Sequence, residues 1–108
     1  MANNYKFKGV ALATTTQTNL VTAGTGETLI VKSVIITNNT ANTPTITLDV
    51  TDSSASATYM ILRTHALTAN TSEELLTKPL VLEAGDILKA TMSSTDSVHI
   101  AVSYLAIT

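Results

Sequence analysis

Apolar residues recur along this chain in short runs, often with a two-residue period, and clusters of Thr, Ser, Asn and Gly separate the runs. Ile46, Leu48 and Val50 alternate with Thr45, Thr47, Asp49 and Thr51, the pattern of a strand with one buried and one solvated face. Residues 5–13 open with Tyr5 and Phe7 against Lys6 and Lys8 and continue through Val10 and Leu12, a strand amphipathic at one end. Residues 27–37 form the strongest apolar run. Leu29 and Val31 share one parity and Val34 and Ile36 the other, which predicts a bulge or a fully buried stretch near Lys32 and Ser33. Residues 58–65 read as a strand with Tyr59, Ile61 and Arg63 on one face and Met60, Leu62 and Thr64 on the other. Residues 87–92 and 98–107 complete the long strands, and in the last His99, Ala101, Ser103 and Leu105 oppose Val98, Ile100, Val102, Tyr104 and Ala106. Shorter strands are expected at Leu20–Val21 and at an edge over 74–77, and residues 79–82 lead into a turn at 83–86.

The punctuation agrees with this reading. Gly24 and Gly26 mark a hairpin turn, Pro44 opens a strand where its missing donor is harmless, and 93–96 is a second hairpin turn. Thr71, Ser72, Glu73 and Glu74 resemble a capping box, which allows at most one helical turn. Seven to nine short strands with turn signals at roughly 8–12-residue spacing predict an all-β fold with almost no helix. Residues 1–108 are expected to form a single antiparallel β-sandwich, jelly-roll-like or immunoglobulin-like.

Composition narrows the function. Charged residues are 13% of the chain, against about a quarter in an ordinary domain. The net charge is −2 and the six basic residues are scattered, so no nucleic-acid partner is expected. The absence of cysteine excludes a disulfide framework and thiolate chemistry. No apolar run approaches the length of a membrane helix or a leader, so no membrane partner is expected.

Candidate chemistry is sparse. Catalysis would need His65 or His99 set against an acid and a hydroxyl, and no nucleophile motif accompanies either. Asp49, Asp52, Asp86 and Asp96 follow no calcium-loop spacing and read as turn residues. Gly24 and Gly26 precede a strand rather than a helix, which removes the phosphate-cradle reading. No enzyme activity and no cofactor are expected. A carbohydrate site would need exposed aromatic platforms, and Tyr59 and Tyr104 fall inside strands.

Assembly is what the composition favours. A lone β-protein with so few charges lacks the usual guard against sheet-edge association, which a subunit packed against its own copies can do without. Tyr5 and Phe7 are half of the four aromatic residues and share one segment. They are candidates either to cap the core or to contact a neighbouring subunit.

The run from Glu27 to Asn38, the segment from Pro44 to Val50, Tyr59 to Leu62, Leu80 to Ile87 and the closing Val102 to Leu105 together resemble the small β-sandwich virion structural proteins of tailed bacteriophages. The resemblance spans nearly the whole chain, but in strand types rather than in a catalytic signature. It implies a non-enzymatic particle component located in the virion. The expected role is a capsid decoration (cement) protein, a homo-oligomer with a trimer favoured, bound to the major capsid protein. A tail, neck or baseplate component, contacting tail proteins, is the alternative. A host-surface or carbohydrate-binding module is a reading of another class. The family carries no catalytic residues to transfer.

Overall fold

The computed structural model describes residues 2–108. Nine strands make up the fold, with no helix among the described residues: β1 (Asn3–Leu12), β2 (Thr18–Thr22), β3 (Thr28–Asn38), β4 (Thr45–Asp52), β5 (Ala57–Ala66), β6 (Ser72–Leu76), β7 (Leu80–Leu82), β8 (Ile87–Met92) and β9 (Val98–Ile107). They form two sheets. Sheet A has the order β1-β9-β3-β6, with β7 also on β3, and sheet B the order β2-β8-β4-β5. Every pairing is antiparallel.

This order is that of a chain folded into one long hairpin and then rolled. β4 pairs β5 at the tip, β3 pairs β6 and β7, β2 pairs β8, and β1 pairs β9. Rolling adds the β3–β9 and β4–β8 pairings. The result is a jelly roll and not the immunoglobulin order. Of the two expected hairpin turns, neither joins paired strands: Gly24–Gly26 and 93–96 each carry the chain from one sheet to the other. Only β4 and β5 form a local hairpin.

The inner faces supply the core. Val31, Val34, Ile36, Val98, Ile100 and Val102 from sheet A meet Leu20, Ile46, Leu48, Leu88 and Met92 from sheet B, all buried. β3 keeps both halves inward because its register against β9 shifts between Val31 and Ser33, the bulge that the broken parity predicts. β5 departs from its expected faces. Two register shifts against β4 put Tyr59, Leu62 and His65 opposite the inward residues Val50, Leu48 and Ile46, while Met60 lies opposite Asp49. Thr64, at φ 45, sits in the second irregularity and donates its N–H to Thr47 Oγ1. The capping-box segment is strand, not helix: Ser72 to Glu74 pair with Ile35 to Thr37 in β6, which therefore begins before residue 74.

Polar clamps close both ends. At one end Asp86, buried, accepts the Ser53 N–H at 3.0 Å and the Glu83 N–H at 2.9 Å, tying the β4–β5 loop to the β7–β8 turn. Gly85 makes that turn at φ +91 and lies so close to Ser53 that an added Cβ would fall 2.8 Å from the Ser53 Oγ. At the other end buried Asn38 satisfies its whole amide. Its Nδ2 donates to the Asn42 and Thr68 carbonyls, and its Oδ1 accepts the Thr40 N–H and hydroxyl.

Candidate interaction face

Residues directly opposite across paired strands share a face, so the register lays out the outer surface of sheet A row by row. One row runs Tyr5–Leu105–Ile30–Val81 across the sheet. The next is Phe7–Ser103–Ser33, then Gly9–Ala101–Ile35–Glu74, then Ala11–His99–Thr37–Ser72. Glu74 stands at the far edge of these rows, and exposed Lys32, the extra residue of the β3 bulge, projects between the Ile30 and Ser33 rows. Tyr5 is 80% exposed, Phe7 68%, Val81 57% and Ile35 42%. The reading of Tyr5 and Phe7 as a cap on the core does not hold. Both stand on the solvent side of edge strand β1, where Lys6 and Lys8 take the inward parity.

A groove of about 380 Å³ crosses this face. Its floor is Gly9 and Ala101, its walls include Phe7 and Ile35, and His99 and Thr37 border it. Gly9 makes the depression possible, because the Phe7 ring lies over it and a Cβ there would sit 3.3 Å from Phe7 Cε2. Sheet B presents a different outer surface. Thr47 and Thr91 pair across it, as do Thr51 and Thr58, and Asp49 is buried beneath Gln17, whose Nε2 donates to both carboxylate oxygens. One face gathers exposed apolar side chains, with Lys32 and Glu74 as its charged groups; the other is threonine-rich.

A second apolar patch lies on β5, the outermost strand of sheet B, where Tyr59 is 55% exposed, Met60 58% and Ile61 37%. Tyr59 is thus not enclosed in its strand as the alternation suggests. Tyr104 does pack against the core.

The two histidines separate. His65 Nε2 lies 3.0 Å from Glu73 Oε2, a bond from sheet B to sheet A across the open rim, and no hydroxyl bonds the ring among the described residues. His99 is exposed on the outer face of sheet A. The aspartates hold loops. Asp52 accepts the Ser54 N–H and hydroxyl. Asp96 accepts Asn42 Nδ2 at 2.9 Å and the Ser94 hydroxyl at 2.7 Å. Among the described residues, no three His, Cys, Asp or Glu gather to hold a metal.

The bond from Asn42, and after it the bond from Ser94, hold the Asp96 carboxyl below its ordinary 3.8. A depressed folded pKa means the linkage is intact above the unfolded value and is lost as pH falls through the folded one. An NMR titration is expected to place the Asp96 midpoint below 3.8, with the Asn42 side-chain amide shifting over the same range. A midpoint at or above 3.8 would contradict the bonds described.

Comparison with protein-family models, with curated proteins and with solved structures yields no match.

Proposed function

We propose that this chain is a non-enzymatic structural subunit of a tailed-phage particle, a decoration (cement) protein that assembles on the head lattice as an oligomer. The observation that carries the reading is the outer face of sheet A. Four exposed large apolar side chains lie there, on a surface whose charged groups are Lys32 at the β3 bulge and Glu74 at the margin. Contiguous apolar surface of this kind marks an interaction site rather than the skin of a free monomer. The rigid roll presents that face to other copies, and the threonine-rich face of sheet B adds weak contacts to the lattice. Repeated on a symmetric shell, contacts too weak singly become firm together.

Antibody raised against the chain is expected to label purified particles of the source, with the label over the head shell. Absence of the chain from purified particles would overturn the reading, and label confined to the tail would move the subunit there.

Exposed aromatic rings beside a groove favour one other reading, a glycan seated on Phe7 with His99 and Thr37 as polar partners. Saturable quenching of Tyr fluorescence by a glycan, lost in Phe7→Ser, is its signature.

A further inference from the structure

Among the described residues seven large apolar side chains are exposed, and they form two sets. Tyr5, Phe7, Ile35 and Val81 lie on the outer face of sheet A, and Tyr59, Met60 and Ile61 lie on β5. The roll sets β1 and β5 on opposite sides. β1 neighbours β2 on one flank, while the His65–Glu73 bond joins β5 to β6 on the other. A molecule with one apolar face and, on its far flank, one apolar edge has two surfaces that can meet only on different copies.

We propose that the β5 edge of one copy seats on the outer face of sheet A of the next. The inference rests on the reading of that face as an assembly surface and names its occupant, a second copy of this chain. A single head-to-tail contact covers both exposed sets. A two-fold, face-to-face contact would cover the sheet A set and leave Tyr59, Met60 and Ile61 in water. The face itself does not limit such a contact. Four strands about 4.8 Å apart and roughly 34 Å long present on the order of 650 Å². A stable interface needs roughly 500 Å² per partner and typically buries about 800.

The edge suits seating by side chains rather than strand pairing. The register shifts along β5 and the left-handed Thr64 break its hydrogen-bonding ladder, so it is a poor template for another strand. Met60 is unbranched and adaptable, a good filler for the groove floored by Gly9 and Ala101. Lys6 and Lys8, inward on the edge strand β1, set like charges against any β1-to-β1 pairing of two copies. A head-to-tail contact builds a ring where its rotation closes and an open filament where it does not, so the assembly has three or more copies.

Two variants test this. Tyr5→Ser with Phe7→Ser spoils the face, and Met60→Ser with Ile61→Ser spoils the edge. All four side chains are exposed, and each variant is expected to keep the wild-type β circular dichroism spectrum. Alone, each runs at the 11.3 kDa of one chain in native mass measurement. Mixed in equal amounts they form a complex of one copy of each and nothing larger, because one good edge then meets one good face. An edge variant that keeps the wild-type mass, a mixture that stays monomeric, or a wild-type chain that is monomeric would overturn the proposal. The particle reading fails separately: a wild-type ring with the expected mixing behaviour, but no chain on purified particles, removes the cement role and leaves the contact.

Discussion

Replacing Asp86 with alanine is expected to lower the stability of the domain by about 3 kcal/mol, the sum of two charge-assisted hydrogen bonds at roughly 1.5 each. The carboxylate is buried and is the acceptor for two backbone N–H groups, those of Ser53 and Glu83. Alanine leaves both donors without it in a part-buried turn. Against a total of roughly 5–15 kcal/mol this is a large loss, and it lowers the melting temperature by roughly 10–20 °C. Asp86→Asn keeps one acceptor and turns its amide toward a donor, so it recovers at most half. Gly85→Ala probes the same turn through the backbone. At φ +91, with a new Cβ 2.8 Å from Ser53 Oγ, it is expected to cost about 1–3 kcal/mol. Denaturant unfolding of the three variants checks the account. A wild-type midpoint for Asp86→Ala would show that the clamp contributes nothing.

Removing both rings from β1, by Tyr5→Ser with Phe7→Ser, is expected to leave unfolding within about 0.5 kcal/mol of wild type, as surface substitutions do. It should abolish self-association all the same. Aromatic anchors at an interface are typically worth about 2 kcal/mol or more each when truncated. Together they weaken the contact by roughly a thousandfold, since about 4 kcal/mol corresponds to that factor. Sedimentation over a concentration series measures the change. An unchanged dissociation constant would place the contact elsewhere, and a large fall in stability would mean that the rings serve the fold.

How much of this was legible in the sequence depends on whether the controlling contacts are local. Strands such as β4 and β9 announce themselves, because alternation of apolar and polar residues is a local consequence of burying one face. The bulge in β3 was readable for the same reason: Val31 and Val34 cannot both face inward without an extra residue between them. β5 was misread because its two irregularities are set by β4 and are invisible in its own residues. Simple alternation sends Tyr59 and Ile61 to one face, whereas the register pairs Tyr59 with Val50 and Leu62 with Leu48. The turn at 93–96 looked like a hairpin because a turn signal reports that the chain reverses, not which sheet it enters. The jelly-roll order is a pattern of long-range pairings, such as β1 with β9, that no local signal encodes.

The candidate face was half legible. Tyr5 and Phe7 stood out as a concentration of aromatics, but their own segment allowed a core or a surface position. Their partners on the face, Leu105, Ile30, Val81 and Ile35, come from three other strands and are gathered only by register. The groove depends on Gly9, Ala101 and Ile35 falling in one row. The meaning of Leu82, Ala84, Gly85 and Asp86 was likewise hidden. The segment reads as a turn, but the reason for Asp86 is the N–H of Ser53, 33 positions away.

The central claim is that the outer face of sheet A is an assembly surface, and the mass of the wild-type chain by light scattering at two concentrations tests it most directly. The expected result is an assembly of three or more 11.3 kDa copies that dissociates on dilution, and a single copy for Tyr5→Ser with Phe7→Ser under the same conditions. A wild-type mass of one chain at both concentrations would contradict the claim.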